Sequence, residues 1–93
     1  MTDQELITVL KNIIMQNTEV GDAELIGTVA ESGLVRVVVN TRGGYSFLLS
    51  KDGGVLQYIM PNVNHEDAVQ AFKNGKRSKI SDAALNAAGY RRA

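Results

Sequence analysis

Apolar residues recur at short intervals over residues 34–60, and glycine-rich stretches interrupt them at 42–44 (RGG) and at 52–54 (DGG). Short apolar or alternating runs that end at such residues are typical of β-strands joined in hairpins. This segment therefore predicts three consecutive antiparallel strands. The sequence over 23–30 (AELIGTVA) has the same character and predicts another strand ahead of them.

The turns also predict which positions lie opposite each other, because the favoured register collects apolar residues on one face. Asp52-Gly53 predicts a two-residue type I′ turn, whose two central residues need positive φ. Three-residue turns at 31–33 and 42–44 then place the apolar residues on one face. A two-residue turn at 43–44 would instead mix polar and apolar positions on both faces. The predicted opposite pairs are Leu25 with Val39, Ile26 with Val38, Gly27 with Val37, Val29 with Val35, Val39 with Phe47, Val37 with Leu49, Leu49 with Leu56, Phe47 with Tyr58, and Tyr45 with Met60.

In this register the two faces of the sheet differ in polarity. The predicted core face consists of Val35, Val37, Val39, Tyr45, Phe47, Leu49, Leu56, Tyr58 and Met60. The opposite face, called the back face, carries Ile26, Val38, Leu48, Val55 and Ile59, with Arg36, Asn40, Ser46, Ser50 and Gln57 around them.

An apolar centre with a polar rim, as on this back face, is typical of a protein–protein interface. The residues predicted to bind a partner are Ile26, Arg36, Val38, Leu48, Gln57 and Ile59. The alternative is that a helix of the same chain covers this face.

A helix is predicted ahead of the strands. Thr2 and Glu5 have the spacing of a capping box, and apolar residues recur at helical spacing from Leu6 to Ile14. We expect this helix to end near residues 16–18.

Two more helices are predicted after the strands, because Pro61 cannot donate to a sheet ladder and ends the last strand. Asn64 is a favourable N-cap for a helix that ends at Gly75. Ser81 is placed to cap a short last helix that ends at Gly89.

Together these elements predict an α+β fold: a four-stranded antiparallel meander sheet with an N-terminal helix and two C-terminal helices (α-β-β-β-β-α-α). The 93 residues, 44% of them hydrophobic and 22% charged, suit one compact domain over 1–93 with a few mobile residues at its end. No cysteine is present, and no apolar run approaches the roughly 20 residues of a membrane span. We therefore expect a cytoplasmic protein without membrane contact.

Few residues are suited to catalysis. His65 is the only histidine, cysteine is absent, and no metal-ligand spacing occurs. The sequence thus predicts no enzyme, no cofactor and no metal. Both glycine-rich stretches lie between strands rather than ahead of a helix, so they predict hairpin turns and not a phosphate-binding loop.

Charge is unevenly distributed, although the net charge is zero. Residues 1–31 hold six acidic residues and one lysine, whereas residues 73–93 hold six basic residues and one aspartate. Such asymmetry indicates either a nucleic-acid partner or two solvated faces of opposite charge. The nucleic-acid-binding candidates are Lys76, Arg77, Lys79, Arg91 and Arg92.

The order of elements, together with FKNG at Phe72–Gly75, resembles some small phage-encoded anti-CRISPR inhibitors. That resemblance covers element order and four residues, and no function is carried over from it. From the residues themselves we predict a small non-enzymatic interaction module, an inhibitor or an adaptor, that binds a protein partner or itself as a homodimer through the back face. The alternative is nucleic-acid binding by the basic C-terminal region, and a third function is small-molecule binding between the first helix and the sheet.

Overall fold

A computed structural model describes residues 1–17, 24–40, 45–59 and 64–91. Its helices and strands follow one another in the predicted order. The elements are α1 (Asp3–Asn17), β1 (Glu24–Glu31), β2 (Leu34–Asn40), β3 (Tyr45–Ser50), β4 (Val55–Ile59), α2 (His65–Lys73) and α3 (Asp82–Ala87). The strands form one antiparallel sheet in the order β1-β2-β3-β4, which confirms the predicted α+β fold. The predictions made for the 42–44 turn, Met60, Pro61 and Arg92 concern positions outside the described residues.

The helices begin and end where the local sequence predicts. The Glu5 amide donates to Thr2 Oγ1 (3.2 Å) and the Thr2 amide donates to Glu5 Oε1 (2.9 Å), which is a reciprocal capping box. The side chains of Asn64 and Ser81 each accept a hydrogen bond from the backbone amide three residues on, and so cap α2 and α3. The glycines that follow α2 and α3 have the positive φ of a glycine stop.

Helices cover both faces of the sheet. The face that packs against α1 and the α3 region is called the front face, and its core consists of Leu6, Ile7, Val9, Leu10, Ile13, Ile14, Val35, Val37, Val39, Phe47, Leu49, Val55, Leu85, Ala88 and Tyr90. The core between the back face and α2 consists of Leu34, Leu48, Leu56, Tyr58, Ala68 and Phe72. The molecule therefore has three layers, with the sheet in the middle.

The register of β1 against β2 is as predicted, and all four predicted pairs are observed, among them Gly27 opposite Val37. Gly27 also lets α1 lie close to the sheet, because an added Cβ there would be 2.5 Å from Cγ2 of Ile7. An irregularity between Val29 and Glu31 lets Glu31 pair with residue 34. The turn between β1 and β2 therefore holds two residues rather than the predicted three.

The register of β2 against β3 differs from the prediction by two positions. Val37 lies opposite Phe47 instead of Leu49, and Val39 lies opposite Tyr45. Because side chains alternate with a period of two, this shift leaves every residue on its predicted face.

The register of β3 against β4 differs from the prediction by one position. The turn holds three residues, since the Ser50 amide donates to the Gly54 carbonyl at 3.0 Å. The Asp52 carboxylate accepts from the Gly54 amide (3.0 Å) and from the Ser50 hydroxyl, and Gly53 takes a φ of +89°. A slip of one residue moves every side chain of β4 to the other face.

This slip corrects the predicted faces of β4. Leu56 and Tyr58 lie in the back core, so their predicted position on the α1-facing side is wrong. Val55, Gln57 and Ile59 lie on the front face, so their predicted position on the back face is wrong as well. The prediction took Asp-Gly as a two-residue type I′ turn, whereas Asp-Gly also suits the three-residue turn observed.

Candidate interaction surface

The half of the back face formed by β3 and β4 is covered by α2. Leu48, the predicted centre of an exposed surface, is 0% exposed and packs in one cluster with Ala68 and Phe72 of α2. The predicted exposure of Leu48 is therefore wrong, and the alternative, cover by a helix of the same chain, is correct for this half. An ion pair from Lys73 Nζ to Glu31 Oε2 (3.0 Å) also links the end of α2 to β1.

The half of the back face formed by β1 and β2 is open around Ile26 and Val38, although Leu34 at the start of β2 lies in the back core. Ile26 is 42% exposed there, and Val38, directly opposite it, is half-buried, as is Arg36. Three of the six predicted binding residues therefore lie together on one surface. Gln57 and Ile59 are also exposed, but they lie on the front face of β4 and do not belong to this group.

Arg36 is held in position by hydrogen bonds to its neighbour on β1. Its Nε donates to Thr28 Oγ1 at 3.0 Å, and the Thr28 hydroxyl lies 3.5 Å from the Arg36 carbonyl oxygen. The first residue of α2, His65, shares a hydrogen bond of 3.2 Å between its Nδ1 and the Tyr58 hydroxyl. Burial and then the positive charge of Arg36 lower the pKa of His65, while Glu66 opposes the shift.

The lowered pKa of His65 makes the stability of the fold depend on pH. The unfolded chain takes up a proton near the ordinary histidine pKa of about 6.5, whereas folded His65 does so only at lower pH. We therefore expect the free energy of unfolding to decrease as the pH falls from about 7.5 to about 5.5. Urea denaturation at both pH values measures the loss.

The matched variant for this experiment is His65→Gln, because His65 is the only histidine in the chain. The variant should lose most of the pH dependence between those two values. An unchanged dependence in the variant would show that another group causes it.

β1 pairs only with β2 among the described strands, so its other side is an edge of the sheet. The Lys51 amide donates to the Gly33 carbonyl at 2.9 Å. This bond shows that every second residue of β2, counted from Gly33, directs its backbone groups toward β3. Backbone N–H and C=O groups of successive strand residues point to alternate sides. The observed register therefore directs the backbone groups of Leu25, Gly27 and Val29 outward, away from β2.

The opposite edge, on β4, is partly closed. The Ser78 amide donates to the Val55 carbonyl at 2.7 Å, and the Ser78 hydroxyl accepts from the Gln57 amide at 3.0 Å. No described residue closes the outer side of β1 in this way, and Val29 beside it is 51% exposed. Sequence reasoning missed this edge, although the first strand of a meander always has one unpaired side.

Part of the basic C-terminal region takes part in packing. The Arg77 guanidinium lies 3.6 Å from the centre of the Phe72 ring and donates to the carbonyls of Phe72 and Lys76. Lys76 and Lys79 are exposed. Arg77 is thus a structural contact of α2 as well as a nucleic-acid-binding candidate.

The end of the described chain docks against the turn between β3 and β4. Tyr90 is buried and its hydroxyl donates to the Lys51 carbonyl, with its ring against Gly53. Arg91, which follows it, is exposed. Asp52 lies in the same turn, so this basic region also contains a carboxylate, whose pKa is lowered chiefly by its hydrogen bond from Ser50.

A cleft of about 440 Å³ lies between α1, the front face of β3–β4 and residues 78–84. Its lining includes Ile13, Phe47, Val55, Gln57, Lys79 and Ile80. This is the location considered for a small molecule between α1 and the sheet, and that function stays a prediction.

The described part of the chain contains no group of three or more His, Cys, Asp or Glu side chains able to hold a metal ion. None of the helices described is long and apolar enough to cross a membrane. No family model matches the chain, and neither does any curated protein or solved structure. The resemblance to anti-CRISPR inhibitors therefore depends on element order and Phe72–Gly75 alone.

Proposed function

We propose that this chain is a small non-enzymatic interaction module, an inhibitor or an adaptor, that binds a protein partner or a second copy of itself through β1 and the open half of the back face. The residues of this β1 surface are Ile26, Val29, Arg36 and Val38, together with the outward backbone groups of β1. The observation that carries the proposal is the free edge of β1, flanked by the exposed side chains of Ile26 and Val29.

A free strand edge favours association because its N–H and C=O groups can hydrogen-bond to an added strand. Proteins that avoid this usually place proline or lysine in the edge strand, and β1 (ELIGTVAE) contains neither. Ile26 and Val38 supply apolar area beside the edge, and Arg36 supplies a polar rim.

An enzymatic function has less support than the interaction module, because the side chains suited to catalysis are buried or already hydrogen-bonded. Ser46 is fully buried, and its hydroxyl has no hydrogen-bond partner among the described residues. His65 is engaged with Tyr58. Neither is placed as a nucleophile with an adjacent base in an accessible site.

The test is capture by a tagged bait from lysate of the cells that produce the protein, together with co-expression of tagged and untagged copies. Each capture is divided into nuclease-treated and untreated halves. The bait variants are the unaltered chain, Ile26→Lys, and Ile59→Lys as the matched control, because Ile59 is 43% exposed on the other edge strand.

We expect a protein, either another chain or the untagged copy, to survive nuclease and to bind the unaltered chain and Ile59→Lys equally. Ile26→Lys should retain about tenfold less, as expected when a lysine is desolvated in an apolar contact. Recovery of nucleic acid, with all bound protein lost after nuclease, would overturn the proposal in favour of Lys76, Lys79 and Arg91. Equal retention by both lysine variants would overturn the proposed surface.

A further inference from the structure

We propose that two copies of this chain pair β1 with β1, antiparallel, about a two-fold axis at Gly27, and so form one eight-stranded sheet. This pairing depends on the proposed function and names its partner, a second copy of the chain. It follows from the direction of the backbone groups and from the side chains that the axis brings together.

The backbone permits this pairing without rearrangement of the sheet. Leu25, Gly27 and Val29 direct their N–H and C=O groups outward, at every second position of β1. A two-fold axis at Gly27 places Gly27 opposite Gly27 and Leu25 opposite Val29 of the second copy, each as a hydrogen-bonded pair. An axis one residue further on, at Thr28, would place Leu25 opposite Glu31 and so draw more of the irregular segment after Val29 into the ladder.

The side chains that meet across the axis are compatible on both faces of the sheet. On the front face, Leu25 of each copy lies opposite Val29 of the other, and Val29 is 51% exposed in the single chain. On the back face, Ile26 lies opposite Thr28 of the other copy. Pairs of β-branched and aliphatic residues across strands stabilise a sheet, and pairing covers the exposed Ile26 and Val29 together.

Each end of the paired strands holds two carboxylates in this register, and one lysine of α2 offsets their repulsion. Glu24 of one copy comes opposite residue 30 of the other, beside Glu31, which Lys73 already contacts at 3.0 Å. Lys73 then lies near two carboxylates, one from each copy. Lys11 lies beside Gly27 on the front face, and its flexible stem lets the ammonium turn to solvent in both copies.

The first measurement is the molar mass of the purified chain by light scattering and sedimentation velocity over a concentration series. We expect a dimer whose dissociation constant rises about tenfold or more in Ile26→Lys and stays unchanged in the matched control Ile59→Lys. A monomer at every concentration, or equal weakening by both variants, would overturn the pairing.

The second measurement tests the register and uses the absence of cysteine from the chain. Opposite residues of a non-hydrogen-bonded antiparallel pair have Cα atoms about 4.5 Å apart, which a disulfide can span. Mixing Ile26→Cys with Thr28→Cys should therefore give a cross-linked dimer under mild oxidation. Mixing Ile59→Cys with Thr28→Cys should not, and equal cross-linking in both mixtures would contradict the register.

The two proposals fail in different ways. A monomeric chain that still retains a nuclease-resistant foreign protein through Ile26 would overturn the homodimer and support the interaction module with another partner. A monomeric chain that retains no protein would overturn both.

Discussion

Replacement of Leu48 by glutamate is expected to unfold the chain at neutral pH. Leu48 is fully buried in the back core, between the sheet and α2. A carboxylate at this position would lose its hydration without gaining a partner, which costs several kcal/mol or forces α2 away from the sheet. A domain of this size is stable by only about 5–15 kcal/mol, so the loss is large. Circular dichroism during thermal and urea denaturation measures it.

The control for Leu48→Glu is Gln57→Glu, which adds the same charge to an exposed position on the neighbouring strand. That variant should remain folded with almost unchanged stability. Leu48→Ala gives a graded test, with an expected loss of about 2–5 kcal/mol. A folded, fully stable Leu48→Glu protein would show that α2 does not cover this half of the back face.

Replacement of Phe72 by alanine is expected to lower the free energy of unfolding by about 3–5 kcal/mol. Phe72 is 3% exposed and is the largest side chain that α2 contributes to the back core. Its ring also supports the Arg77 guanidinium, 3.6 Å from the ring centre, so both contacts are lost together. Urea denaturation at constant pH measures the change.

Two variants separate these contributions. Arg77→Ala retains the ring and should cost about 1 kcal/mol, the typical value of an exposed cation–π contact. Gln70→Ala changes an exposed position of α2 and should be nearly neutral. If Phe72→Ala cost no more than Gln70→Ala, α2 would not be anchored through its ring.

Local sequence was sufficient for features that depend on a few neighbouring residues. The capping box of Thr2 and Glu5 and the caps at Asn64 and Ser81 were all predicted and are confirmed, because a helix end is defined by residues three apart. The register of β1 against β2 was also correct. That register is why the predicted residues Ile26, Arg36 and Val38 lie together on the open surface.

The errors concern features that depend on distant parts of the chain. The turn at Asp52-Gly53 is compatible with two lengths, and the Asp-Gly dipeptide by itself predicts the shorter one. Whether Leu48 is buried depends on where α2 packs. That position is determined by the contacts of Ala68 and Phe72, which lie at least 20 residues later in the sequence. Local periodicity contains no such information. The exposure of Val29 beside the free edge likewise follows from the order of the strands in the sheet and not from the residues next to Val29 in the sequence.

Strand order also bears on how the chain folds. Each strand pairs only with its neighbours in sequence, so every ladder closes a short loop, and short loops have a small entropic cost. Low sequence separation between contacts is associated with rapid folding, and the meander should form its hairpins faster than a sheet with crossover connections. A much more distant contact joins α1 to the end of α3, where the Asn12 side-chain amide donates to the Ala88 carbonyl at 2.9 Å across 76 residues. Closure of the front core is therefore the slow step that we expect, after the sheet has formed.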